Sequence, residues 1–286
     1  MMKNNILGAL LFFVALTIYA QEKPLKMMSA NIRMATEKDG INYWNYRRDW
    51  FTDMVKFENI DVFGAQEVLY SQLEDIQHGL EDYAHIGVGR QGGKNGEFSP
   101  IFYKKDAFEV LESGTLWLSE TPEKVGSKGW DAALPRIVTW AKFRRKKDGK
   151  LFFFFNTHFD HVGTEARKQS AILIRKIIAD KITEGTPVFV TGDFNVPPSS
   201  EAYKTMVSDN GKNLKLLDTK LKAEKQYGPS YTFNGFQLKP DEDRDRIDYI
   251  FFQGDVAIKS YQVLDAQRGA KFISDHFPVL VEVYLK

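Results

Sequence analysis

The sequence predicts an α+β fold in which two packed β-sheets carry helices on their outer faces. Three observations support this. Strand-like segments outnumber helical ones along the chain. One of them, 151–158 (LFFFFNTH), is apolar on both faces, which suits a strand covered on both sides. The helical segments are amphipathic, so each needs a neighbour on which to bury its apolar stripe.

In chain order, strand signals fall at 26–33 (KMMSANIR), 61–68 (DVFGAQEV), 100–103 (PIFY), 137–143 (IVTWAKF), 151–158, 187–193 (PVFVTGD), 247–252 (IDYIFF) and 277–285 (FPVLVEVYL). The KKDGK stretch at 146–150 reads as a turn and predicts a hairpin between 137–143 and 151–158. A helix over 44–58 sets Phe51, Met54 and Val55 against Arg47, Arg48, Asp49 and Asp53. A second, over 165–183, sets Ile174, Ile177 and Ile178 against Arg167, Lys168, Arg175 and Lys176. Each helix leads into a strand that ends in an acid, Glu67 after VFGAQ and Asp193 after VFVTG, a weak echo of two related halves.

The chain is 43% hydrophobic and 27% charged, which are globular values. No Pro-, Gly- or Ser-rich linker interrupts it, so residues 21–286 read as a single domain. Residues 1–20 differ: Lys3 is followed by an apolar run from Ile6 to Ala20 and then by QEKP. That run is shorter than the ~20 residues that span a bilayer and reads as a secretory signal peptide, although Ile18 leaves the small-residue cleavage pattern half met. The reading is a secreted or periplasmic bacterial protein, monomeric and without stable membrane insertion after cleavage. With no cysteine, such a protein is held by its core alone. The formal net charge is +1, and losing Lys3 leaves the mature chain near neutral, which argues against a strongly basic groove protein.

Polar residues gather where strands end. Asn31 closes the first strand, Glu67 follows FGAQ, His158 closes FFFFNT, Asp193 and Asn195 close VFVTGDFN, Asp248 lies in RIDYIFF, and Asp275 and His276 precede the last strand. A carboxylate at an apolar strand is costly unless it is paired or binds a cation. One such acid is readily structural; this many acids, with two histidines and two asparagines, point to a shared site. The donors suit a hard divalent cation, Mg²⁺ or Mn²⁺. Zinc fits poorly: cysteine is absent, and His158, Asp160 and His161 lack a preceding H-x-H.

The motifs GAQEV, THFDHVG, TGDFN, RIDYIFF and SDHFPV, in this order, resemble the endonuclease/exonuclease/phosphatase superfamily over the whole mature chain. The resemblance implies a four-layer αββα sandwich of two mainly antiparallel sheets, and metal-assisted hydrolysis of phosphate esters. It makes Glu67 the principal metal ligand, with Asn31, Asp275 and Asp193 around it. It gives Asp193 the attacking water, His158, Asn195 and Arg136 the phosphate, Asp248 the orientation of His276, and Glu97 the partnership of His158. Either Asp193 or His276 could take the proton from the water. His158 is shared with the deoxyribonuclease, lipase and deadenylase branches, and the segment between Glu97 and Arg136 resembles the deadenylase-related bacterial branch.

The expected function is therefore a secreted, metal-dependent phosphoesterase cleaving phosphodiesters, with nucleic acid or nucleotide favoured as substrate. Phospholipid head groups and sugar or inositol phosphates are the alternatives. A non-catalytic module that binds a phosphate ligand is the alternative of another class. Trp130, Tyr231 and Phe233 are candidate substrate walls, more simply read as packing. The basic run 144–147 reads as a solvated turn, and His78, His85 and His161 carry no expected role.

Overall fold

The computed structural model describes residues 23–182, 185–209, 214–237 and 244–286. Its elements are β1 (Leu25–Asn31), α1 (Arg48–Phe57), β2 (Val62–Gln66), α2 (Tyr70–Gly79), β3 (Tyr83–Ile86), β4 (Ile101–Lys104), β5 (Phe108–Trp117), β6 (Ile137–Arg145), β7 (Leu151–His158), α3 (Thr164–Lys181), β8 (Val188–Asp193), α4 (Glu201–Val207), β9 (Leu217–Asp218), α5 (Thr219–Lys222), β10 (Lys225–Tyr227), β11 (Asp248–Gln253), β12 (Val256–Val263), β13 (Gln267–Arg268), β14 (Lys271–Phe272) and β15 (Val279–Leu285).

One sheet runs β10-β12-β15-β1-β2-β4-β3 and the other β5-β6-β7-β8-β11-β9. Most neighbours are antiparallel. Three pairs are parallel: β10 with β12, and β1 with β2 and β7 with β8, the last two joined through α1 and α3. The echo between these two stretches is thus a repeated strand–helix–strand crossover, one in each sheet.

Three apolar layers separate four structural ones. Met27, Val62, Phe152, Phe154, Phe189 and Val281 fill the space between the sheets. Phe153, Phe155, Val190 and Tyr249 pack outward against Ile174 and Ile178 of α3. Met28 and Phe63 pack outward against Phe51 and Val55 of α1 and Leu73 and Ile76 of α2. Side chains alternate across a strand, so LFFFFN fills two layers at once.

Toward one end the inter-sheet layer turns polar. Gln66 donates to Ser29 Oγ at 3.2 Å and to Asn156 Oδ1 at 2.7 Å, and Asn156 donates to the Ala65 and Pro100 carbonyls. Gly64 leaves room for this: a Cβ there would land on the Asn156 side chain. Buried amides joined in this way fix two sheets in one register, because leaving either unpaired is costly.

All eight expected strands are present, each end within two residues of its expected place. The first helix begins at Arg48, after a separate 3-10 turn at Trp44–Tyr46. Residue 183, at the end of the second expected helix, lies outside the described residues, as does the expected signal peptide at 1–20. Arg145 departs from the expected solvated turn: it is buried and paired with Asp148. Among the described residues no helix is long and apolar enough to cross a membrane.

Candidate active site

Strand register brings the polar ends level. His158 pairs with Asp193 across β7 and β8, and Asp193 pairs with Asp248 across β8 and β11. Asn31 pairs with Gln66 across β1 and β2, placing Glu67 one residue beyond. The segment before β15 adds Asp275 and His276, since Ser274 Oγ donates to the Asn31 carbonyl at 2.7 Å.

Asp193 is the hub. Its Oδ1 accepts from the Asn195 backbone N–H at 2.9 Å, and its Oδ2 accepts from Asn31 Nδ2 at 3.0 Å. The same Oδ2 lies 3.4 Å from His158 Nε2 and 3.8 Å from His276 Nε2. Burial, with Asp248 nearby, pushes the Asp193 carboxyl up to about 7, against the pull of His276. His276 donates from Nδ1 to Asp248 Oδ2 at 2.9 Å, which aims Nε2 at Asp193. Burial opposes a charge on His276, but Asp248 and Asp193 outweigh it and hold its pKa well above the ordinary value. Asp193, Asp248 and His276 each place one atom within 4.8 Å of the others. The direct Nδ1–Oδ2 bond makes this group an oriented histidine between two acids rather than a ready-made ligand set.

His158 has the opposite environment. Burial, then the charges of Arg136, His276, Arg90 and His161, hold its pKa well below the ordinary value. Asn195 Nδ2 donates to the Phe159 carbonyl and to His158 Nε2, each at 3.0 Å. An amide nitrogen only donates, so His158 is neutral with its proton on Nδ1. Both amide hydrogens of Asn195 are thereby committed, one to this ring and one to the Phe159 carbonyl.

Arg136 is buried, donating to Asp160 Oδ2 at 3.3 Å and to His161 Nδ1 at 3.0 Å. Asp160 also accepts from the Ala133, Leu134, Val162 and Gly163 backbone N–H groups. His161, expected to have no role, is thus half of the cradle that orients Arg136. Glu97 departs from expectation. Its carboxylate takes two bonds from Arg90, at 3.1 and 2.6 Å, closing the glycine-rich loop between them, and among the described residues none joins it to His158.

The oxygen-rich side is formed by Glu67 and Asp275. Glu67 accepts from Asn31 Nδ2 at 3.0 Å and from the Met34 backbone N–H at 3.1 Å. Burial raises its pKa, but these bonds, His276 and Arg33 together bring it below the ordinary value. Asp275 is pushed up by burial and by the charge of Glu67, against His276, Arg33 and Arg47. Asn31 Oδ1 accepts from the Arg33 N–H at 2.9 Å, and its Nδ2 donates to Glu67 and to Asp193. In this arrangement it ties Glu67 to Asp193.

Arg47, read from sequence as the polar face of a helix, is 1% exposed. It donates to the carbonyls of Asn42, Ile32 and Ile273, clasping the segment after β1 to the segment before β15. Arg33, Glu67 and Asn195 all have left-handed backbone, with φ of 59°, 60° and 51°. Such conformations in non-glycine residues cost roughly 1–3 kcal/mol each and persist where surrounding contacts enforce them.

Of the candidate walls, Phe233 is 44% exposed, with its ring 5.0 Å from that of His276. Tyr231 is buried, with Arg244 over its ring. Trp130 lines a groove with Gln169, Ile172 and Leu173 of α3, away from the histidines.

The profile of the Endonuclease/Exonuclease/phosphatase family matches residues 28–276. The chain belongs to this family. Among solved members, an endonuclease/exonuclease/phosphatase from Bacteroides vulgatus is 43% identical, over 93% of this chain and 100% of that one, with a TM-score of 0.88. The mannosyl-6-phosphatase of Bacteroides thetaiotaomicron VPI-5482 is 39% identical, over 91% of this chain and 100% of that one, with a TM-score of 0.84. The catalytic domain of human Nocturnin, with bound sulfate, matches over 92% of this chain and 94% of its own at a TM-score of 0.71, but at 20% identity it shares the fold alone.

Proposed function

We propose that this family member is an exported, divalent-metal-dependent phosphatase that releases phosphate from a sugar phosphate of the mannosyl-6-phosphate kind. The observation that carries this is the 39% identity along the full length of a mannosyl-6-phosphatase. The expected preference for nucleic acid gives way because the likeness to Nocturnin is one of fold.

The acidic side suits a hard cation: Glu67 and Asp275 bring carboxylate oxygens to one buried place, where the charge of Glu67 pushes the Asp275 carboxyl up. These two residues would hold Mg²⁺ or Mn²⁺, with Asp193 nearby. When bound, the cation supplies positive charge to the phosphate and to the leaving oxygen. The proton chemistry belongs to the other side. Asp193, with His276 held by Asp248, takes the proton of the attacking water. Neutral His158, its Nε2 taken by Asn195, has Nδ1–H alone to give a nonbridging oxygen, and Arg136 lends positive charge. Phe233 presents an aromatic face to the leaving group.

Residues 1–20 act as a removable leader ahead of one domain, 21–286, that works as a monomer; fractionating the host cell and sizing the mature protein tests both points.

The test of activity uses the mature protein with Mg²⁺ or Mn²⁺, with an EDTA control, against mannose 6-phosphate, p-nitrophenyl phosphate, its bis ester, RNA, DNA and sphingomyelin. EDTA-sensitive release of phosphate from mannose 6-phosphate is the expected result. Cleavage of RNA or DNA with sugar phosphate untouched would restore the nuclease reading. Metal binding with no turnover of any ester would leave a phosphate-binding module.

A further inference from the structure

Arg33 stands between three carboxylates and gives its hydrogen bonds to only one of them. Its Nε and Nη2 donate to Asp39 at 3.1 and 3.2 Å. Nη1 lies 3.8 Å from Glu67 Oε2, and Nε lies 3.7 Å from Asp275 Oδ2, beyond hydrogen-bond range. Its backbone is fixed: the N–H donates to Asn31 Oδ1, and the carbonyl accepts from Gln72 Nε2 at 2.9 Å and Arg47 Nη2 at 3.5 Å. The side chain is one-third exposed while that of Asp39 is nearly buried, so the guanidinium is anchored at the acid and open to solvent on its own side.

The second cation of this neighbourhood, Arg47, commits its N–H groups to carbonyls. Arg33 is therefore the cation whose position relative to Glu67 and Asp275 depends on a single tether. A positive charge that close to two partly desolvated acids competes with any other cation for them. Because it shares no hydrogen bond with either, an ion can take both acids without breaking a bond to Arg33.

We propose that Arg33, parked on Asp39, is the resident counter-charge of the Glu67–Asp275 pair and sets how tightly that pair holds a divalent cation. The proposal rests on the metal reading above. The charge keeps the unloaded acids compatible with a buried site and keeps the ion exchangeable. A simple Arg33–Asp39 surface pair, or an arginine that serves substrate phosphate, would leave metal affinity alone.

The test is titration calorimetry of the mature protein with Mn²⁺ alone, with metal-dependent thermal shift as a second readout. Arg33→Gln is expected to tighten Mn²⁺ binding by about tenfold or more, since a unit charge a few ångströms away in a partly screened site is worth at least that. Arg33→Lys, which keeps the charge, is expected to stay near wild type and controls for folding. Asp39→Asn, which releases the guanidinium toward the acids, is expected to weaken binding. Unchanged or weaker binding in Arg33→Gln overturns the proposal, as does a change of the same sign in Arg33→Gln and Asp39→Asn. Wild-type protein that binds no Mn²⁺ overturns the metal reading itself, and this inference with it.

Discussion

His158 and His276 end up beside the same carboxylate oxygen, 3.4 and 3.8 Å from Asp193 Oδ2, and both are buried, yet they titrate in opposite directions. Burial alone would lower both. Around His276 the neighbours are Asp248, Asp193 and Asp275, which favour imidazolium. Around His158 they are Arg136, Arg90, His161 and His276 itself, which disfavour it. One residue type thus takes two charge states at one site, one favouring imidazolium and one the neutral ring, set by environment rather than by sequence.

The largest test of this asymmetry is removal of the acidic half. His276→Ala, or Glu67→Ala beside it, should lower kcat/KM for the phosphate ester at least ~10²-fold, on the scale of an acid–base contribution. Turnover near wild type from either would end the assignment. His158→Ala should cost less than His276→Ala, on the order of 10²-fold, as expected when one group facing developing charge is lost. If the two losses rank the other way, the roles are exchanged.

Asp248→Asn isolates the cause. It should bring the His276 pKa down toward its ordinary value, followed by NMR of the ring C–H resonances, while leaving His158 neutral. An unmoved His276 titration would mean that Asp193 alone sets it.

The smallest effect lies in stability. His158 stays neutral in the folded protein, so below about pH 6.5 the unfolded chain takes up a proton that the native site refuses, and stability falls as pH falls. His276 works in the other sense: its raised pKa contributes stability that is fully present below about pH 6.5 and is lost as pH rises through the folded value. His158→Gln should therefore flatten the acid-side loss in urea melts between pH 7 and 5. His276→Gln should flatten the loss on the alkaline side. Identical slopes in both variants would mean that the two environments do not differ in solution.

What sequence could reveal here follows from cost and distance. Asn31, His158, Asp193 and Asp248 were legible because each ends or begins an apolar strand, and Glu67 and His276 because they lie close to one, where a polar side chain is expensive without a purpose. The strand beginning at Leu151 was legible because four consecutive phenylalanines admit few other readings. Strand β5 was not: its burial is broken by exposed glutamates and by a register shift between Val110 and Glu112.

Partnerships were harder to read than positions. Glu97 was expected beside His158, but Arg90 is seven residues back in the same loop, and the glycines between them signal the turn that joins the two. Asn31 was expected as a ligand, and sequence said nothing of its hydrogen bonds: its nitrogen joins Glu67 to Asp193 and its oxygen takes the backbone N–H of Arg33. Arg47 gave no signal, because a buried guanidinium bonded to carbonyls looks in sequence like any charge on a helix face.

The polar seam at the end of the two sheets has a consequence in time. Asn31 meets Asp193 across 162 positions of chain and approaches His276 across 245. Neither sheet holds the proton-handling centre alone: β1 and the segment before β15 come from one, β8 and β11 from the other. A growing chain therefore carries every early residue of the centre in an inert state until its last strands arrive and the sheets close over Gln66 and Asn156. Any hydrolysis by this centre therefore waits until both sheets are in place.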